Sequence, residues 1–231
     1  MLLETTELVA HYGDFQALFG VSLSVDAGET IALIGSNGAG KTTTLKAITG
    51  LLRAPAENVR FMGMPIGGLT PERIIAMGIA LVPEGRRLLP SLSVEDNLRM
   101  GAYCNNKGAW NLERVFQLFP VLKERRGTSA TSLSGGQQQM VAIARALMAN
   151  PKLLLCDEIS LGLSPRIIRD LYGALAEIRK EGTTIVVVEQ DINRALDFAD
   201  RVYCLQEGRI TLEGRPADLT REEIKLAYFG M

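Results

Sequence analysis

Cysteine is scarce and poorly spaced for anything but isolated thiols. Cys104, Cys156 and Cys204 are an odd count without a CxxC pair, which argues against a disulfide framework or a zinc site and suits small buried thiols in a reducing compartment. An excess of one charge is also missing. The chain has 25 Lys and Arg against 26 Asp and Glu, a net −1, whereas a general nucleic-acid surface usually shows as a basic excess; no nucleic-acid partner is expected. No stretch approaches the ~18 consecutive apolar residues of a membrane span. The opening MLLETTELVA has acids where a signal peptide needs a long apolar segment. Internal repeats and low-complexity segments are absent too. Together these absences lead to the expectation of a soluble, cytosolic chain.

What is present supports a sizeable core. Of the 231 residues, 47% are hydrophobic, which makes disorder a poor fit. At about 150 residues per domain, this length suits one large domain or a core with a lobe. VSLSV (21–25) alternates with period two and reads as a half-buried strand, followed by a turn at DAG. TIALI (30–34) and IALV (79–82) read as strands buried on both faces. Between them TPERIIAMG (70–78) is punctuated as a helix, with Thr70 as N-cap, Pro71 at the first position and Gly78 at the end. Beyond Val82 the pattern turns helical: Ser93 with Asp96 suggests a capped helix and NLERVFQLF (111–119) another. Strand–helix alternation returns at KLLLC (152–156), with a helix from Ser164-Pro165 to Gly182 and then TIVVV (184–188). RVYCLQEGRITLEG (201–214) reads as a hairpin turning at Glu207-Gly208, and Thr220 with Glu223 as a capping box for a last helix. The sum is an α/β protein with a largely parallel core (1–84 and 151–231) and a mainly helical lobe (85–150).

Three motifs carry chemistry. GSNGAGKT (35–42) has the spacing G-x-x-x-x-G-K-[ST] after a strand and before a helix. Its glycines let successive N–H groups turn inward around phosphate oxygens at the positive end of a helix. Lys41 then reaches the β- and γ-phosphates and the Thr42 hydroxyl binds Mg²⁺; the bland alternative is a Gly-rich turn with a surface lysine. LLLCDE (153–158) is an apolar strand ending in two acids. Asp157 suits Mg²⁺ and Glu158 the orientation or deprotonation of an attacking water, as in P-loop NTPases, although paired acids also cap helices. LSGGQ (133–137) precedes an apolar helical face through Met140, Ile143, Ala144, Leu147 and Met148. Ser134 serves as N-cap in any case, but two glycines at a helix start are costly unless backbone must approach something closely. A second phosphate-receptive helix end suggests two copies sharing nucleotides.

In this order and spacing, the motifs make the chain resemble the nucleotide-binding subunit of an ABC transporter along nearly its whole length. The resemblance implies a single ABC ATPase domain with an N-terminal antiparallel β portion. GSNGAGKT is then the Walker A loop, with Gly35, Ser36, Asn37, Gly38, Ala39, Gly40, Lys41, Thr42 and the following Thr43 on the nucleotide. LSGGQ is the signature, contributing Ser134, Gly135, Gly136 and Gln137, and LLLCDE is the Walker B strand. Tyr12, in HYG, is expected to stack on adenine; an aromatic at a strand end is the plain alternative. The implied cofactors are ATP and Mg²⁺, with Thr42, Glu84 and Asp157 as metal ligands and Glu158 and Gln190 as catalytic residues. The implied assembly is a head-to-tail dimer with a second ATPase subunit, identical or related, docked on transmembrane permease subunits at the cytoplasmic face and served indirectly by a solute-binding receptor. Arg86, Arg87, Leu88 and Leu89 are contact candidates for the permease, against the alternative of a solvated basic pair.

VPEGRRLLPSLSVEDNL (82–98), SLGLSP (160–165) and the closing AYFG (227–230) most resemble the second ATPase subunit of branched-chain amino acid importers. Urea and amide importers have similar subunits, and a soluble ABC ATPase or a non-hydrolysing regulatory module are further alternatives. Three positions depart from the general family pattern. Glu84 replaces the Q-loop glutamine and stays a suitable oxygen ligand for Mg²⁺. Ile159 replaces the proline after Glu158, which is expected to loosen the loop that follows. Gln190 replaces the switch histidine, and the sole histidine, His11, is far off in sequence. Gln190 is expected to bond a γ-phosphate oxygen and the attacking water.

Overall fold

The computed structural model describes residues 1–230. In chain order the strands and helices are β1 (Leu3–Tyr12), β2 (Phe15–Val25), β3 (Thr30–Ile34), α1 (Lys41–Ile48), β4 (Val59–Phe61), β5 (Met64–Pro65), α2 (Pro71–Met77) and β6 (Ile79–Val82). Then follow α3 (Val94–Gly101), α4 (Leu112–Leu118), α5 (Pro120–Glu124), α6 (Gly135–Leu147), β7 (Leu153–Asp157) and α7 (Pro165–Lys180). The chain closes with β8 (Thr184–Glu189), α8 (Ile192–Phe198), β9 (Arg201–Gln206), β10 (Arg209–Gly214) and α9 (Arg221–Phe229).

Two compact units form, Met1–Ile74 with the segment from Thr184 onward, and Ile75–Thr183. These boundaries differ from those expected at 84/85 and 150/151. The reason is pairing: β6 and β7 hydrogen-bond to each other and α6 packs on β6, so both strands belong with the helices.

In the first unit β2, β1, β4 and β5 form an antiparallel sheet, with β1 and β2 running from Leu3↔Val25 to Tyr12↔Phe15 through register shifts. A second set of strands lies in the order β10, β9, β3, β8. The central β3 is buried throughout and pairs in parallel with both neighbours, which is why TIALI shows no polar alternation. Ile34 lies opposite Glu189 on one side and Cys204 on the other. Burial pushes the Cys204 thiol pKa up, so the side chain acts as a small hydrophobe. At the far end of these strands Arg201 takes both oxygens of Glu29 at 2.9 Å. That bidentate pair holds the guanidinium charged, its pKa raised above the ordinary arginine value.

In the second unit β6 and β7 are parallel, from Ile79↔Leu153 to Val82↔Cys156. Ser93 caps α3 by accepting from Asp96 N, Asn111 caps α4 and Ser134 caps α6. Asn97 is fully buried on α3 and bonds both the N–H and the carbonyl of Leu89, tying the loop after β6 to the helical bundle.

Candidate functional site

In the first unit the geometry follows from strand register. β3 and β8 are parallel and end together at Ile34↔Glu189. The Gly-rich loop leaving β3 and Gln190 leaving β8 therefore depart side by side from the carboxyl ends, where open α/β sheets take ligands. Gly35 is required at the start of the loop: a Cβ there would lie 2.3 Å from the Leu205 carbonyl oxygen. Ser36, Asn37 and Gly38 are exposed at the loop tip, while Gly35, Ala39 and Gly40 are buried beneath it. The Ala39 carbonyl accepts from Gly208 N at 2.9 Å, anchoring the loop on the β9–β10 turn. Gly40 caps α1 in a left-handed conformation without a side-chain cap bond, so the first-turn N–H groups are unscreened by a capping side chain. Lys41 is only 4% exposed and donates to the carbonyls of Gly35 (2.7 Å) and Ser36 (3.0 Å), holding its ammonium over the loop. Thr42 and Thr43 are half-buried in the first turn of α1. Tyr12 closes β1 with 45% of its surface exposed, and Lys46 Nζ stands 5.7 Å from its ring centroid.

The second unit repeats the logic. β6 and β7 are parallel through Val82↔Cys156, so Glu84 and the pair Asp157-Glu158 leave the same ends of adjacent strands. Asp157 is 3% exposed, Glu158 is half-buried, and Glu84 is exposed. Glu158 sits at φ 47, a left-handed backbone that is uncommon outside glycine and Asn or Asp. Ile159, which follows it, is only 1% exposed.

The glycines of LSGGQ have partners within the chain. A Cβ on Gly136 would lie 2.6 Å from Ile167 Cγ2 of α7, and one on Gly135 would lie 3.2 Å from Arg86 Nη2. Both glycines thus lie close against the protein's own side chains. Ser134 and Gln137 complete a reciprocal capping box at 3.3 and 3.1 Å. Arg86 also donates to Gln138 Oε1 at 3.3 Å, so its guanidinium is turned toward α6. Gly85, Arg86 and Arg87 all have positive φ, and Arg145 of α6 clamps this run by donating to the carbonyls of Arg87 (2.8 Å) and Arg86 (3.0 Å). Burial lowers the Arg145 pKa, yet an arginine remains protonated. Sequence reasoning missed this clamp. Its signal was an arginine between buried Ala144 and Ala146, on a helix side otherwise lined by small and aliphatic residues.

Of the residues expected to hold a cation, Thr42 brings a hydroxyl in the first unit, and Glu84 and Asp157 bring carboxylates in the second; all are hard oxygens. No cluster of three or more His, Cys, Asp or Glu side chains converges among the described residues. Mg²⁺ in phosphate sites uses one or two carboxylates together with phosphate oxygens, so these residues fit it.

Comparison with known proteins decides the family. The family model described as ABC transporter matches residues 18–160. The chain belongs to the ABC transporter family. The high-affinity branched-chain amino acid transport ATP-binding protein BraG of Pseudomonas aeruginosa is 44% identical over 232 residues, covering 99% of this chain and 100% of that protein. A crystal structure of a nucleotide-free ATP-binding cassette from an ABC transporter superposes with a TM-score of 0.83 at 31% identity, covering 98% of this chain and 94% of the other. A dimeric ATP-binding cassette in a post-hydrolysis state bound to ADP and Pi gives 0.82 at 26% identity, covering 93% and 99%. The fold is therefore the ABC ATPase fold expected from the sequence. The family segment contains the Walker A loop, LSGGQ and the strand ending in Asp157-Glu158, while Gln190 lies beyond it.

Proposed function

We propose that this chain is the ATP-hydrolysing subunit of an ABC importer, with branched-chain amino acids as the cargo. The observation that supports the reading is the common departure of the 35–42 loop and Gln190 from the ends of β3 and β8, an arrangement suited to a loop that takes phosphate beside a non-titrating hydrogen-bonding side chain. The 44% identity to BraG over the whole chain favours the branched-chain cargo over the urea and amide alternatives.

In this reading Lys41 neutralises the β/γ-phosphates and the α1 N-terminus receives their oxygens. Thr42, Asp157 and Glu84 would hold Mg²⁺, which would supply charge stabilisation at the transferring phosphoryl group. Glu158 accepts the proton of the attacking water. Gln190 donates its amide N–H to a γ-oxygen and accepts from that water through its carbonyl, much as a glutamine orients water in small GTPases. Tyr12 carries the adenine on its exposed face. The α6 N-terminus with Ser134, Gly135, Gly136 and Gln137 meets the nucleotide of a second ATPase subunit, identical or related. The loop 84–89 faces permease subunits at the cytoplasmic side of the membrane, where a solute-binding receptor acts from the other side. No helix among the described residues is long and apolar enough to cross a membrane, which suits a subunit borrowing its membrane path from partners.

Lys41→Ala tests the nucleotide site. It is expected to weaken ATP binding by at least about tenfold, as for loss of a charge-assisted contact, and to abolish hydrolysis. Calorimetry giving wild-type ATP affinity contradicts the assignment.

A further inference from the structure

Gln190 is flanked by two acids that share one cation. Glu189 ends β8 with a carboxylate only 2% exposed, and its Oε2 lies 3.4 Å from Arg194 Nη1. Asp191 caps α8, its Oδ1 accepting from Arg194 N at 3.1 Å and its Oδ2 pairing with Arg194 Nη2 at 3.0 Å. The guanidinium fork thus bridges the residue before Gln190 to the residue after it. The bridge restrains the chain on both sides of Gln190. Tyr228 of α9 adds a long donation of 3.5 Å to the Gln190 carbonyl. None of this is needed to start α8, for which the Asp191 cap alone suffices.

We propose that Arg194 is a positioning residue for Gln190, fixing the backbone on both sides of it through Glu189 and Asp191. The inference rests on the reading of Gln190 as the contact to the γ-phosphate and the attacking water. A planar fork with two arms restricts the turn where a point charge on a flexible stem does not. A side chain held in one orientation contributes more to a transition state than one that must be ordered during reaction.

The test is a double-mutant cycle on the full chain, reading phosphate release for kcat, calorimetry for ATP affinity and thermal melting for folding. Arg194→Lys keeps the charge and loses the fork. It is expected to lower kcat by about tenfold with ATP affinity within about twofold, a coupling ordinary for one hydrogen-bonded network. In a Gln190→Ala background the same change is expected to have no further effect on kcat. Asp191→Asn keeps the helix cap and removes one arm of the bridge. It serves if Arg194→Lys melts early, with a drop of about threefold expected. Equal losses from Arg194→Lys in both backgrounds overturn the inference, as does a wild-type kcat for Arg194→Lys beside a slow Gln190→Ala. A wild-type kcat for Gln190→Ala itself overturns the Gln190 reading, and the positioning role falls with it.

Discussion

Gly136 illustrates how much a single residue can be made to explain. Glycine at the second position of a helix forgoes roughly 1 kcal/mol of helix propensity relative to alanine. Its reason is Ile167, whose Cγ2 would lie 2.6 Å from a Cβ placed there. Overpacking of that size costs about 1–3 kcal/mol, so the clash exceeds the propensity gain. Gly136→Ala is therefore expected to lower the melting temperature in the wild type. With Ile167→Ala beside it, the sign is expected to reverse, because space opens and only the helix gain remains. Chemical denaturation of the four proteins measures this directly; Gly136→Ala destabilising both backgrounds equally would remove Ile167 as the cause. The sequence flagged both glycines through their spacing in LSGGQ but did not reveal which side chains they accommodate, since Ile167 lies thirty-one residues further on. Lys41 and Thr42 were legible together because a phosphate-binding loop demands fixed spacing between strand and helix, and Asp157 separately, as an acid closing the apolar run LLLC. Arg86 was legible only as a charge, and its direction toward Gln138 depends on the left-handed run at 85–87.

At the scale of elements, local punctuation carried far. Ser93 before α3, the Glu207-Gly208 turn between β9 and β10, and the Thr220–Glu223 capping box are all found as the residue types required. Strands β4 and β5 escaped notice, being three and two residues long, too short for period-two alternation to register. The unit boundaries differed for a similar reason. Parallel pairing of β6 with β7 joins segments more than seventy residues apart, and no local signal reports it.

The capping box of α9 has a pH consequence. The Thr220 N–H and hydroxyl hold the Glu223 carboxyl below its ordinary 4.5. A depressed folded-state pKa contributes stability that is present above about 4.5 and is lost as pH falls through the folded value. Amide-exchange protection in the first turn of α9, corrected for intrinsic rates, is expected to drop across that acidic window in the wild type. In Glu223→Gln it is expected to be flat. A wild-type profile as flat as the variant's contradicts the assigned cause.

For the whole molecule, parallel register gathers one group of side chains in each compact unit: the 35–42 loop with Gln190 in the first, and Glu84 with Asp157-Glu158 in the second. In the proposed function the Ser134–Gln137 end of α6 offers its backbone N–H groups to a nucleotide held by another subunit. Hydrolysis in the proposed function requires two associated chains, whereas association requires only bound ATP. Glu158→Gln separates them: the amide preserves shape and removes the charge that takes the proton. The most direct measurement is ATP-dependent dimerisation and phosphate release by this variant beside the wild type. The account predicts an ATP-bound dimer of Glu158→Gln by size-exclusion chromatography, with hydrolysis reduced by about a hundredfold or more. A variant that remains monomeric with ATP and hydrolyses it at the wild-type rate would contradict both the proton acceptor and the shared site.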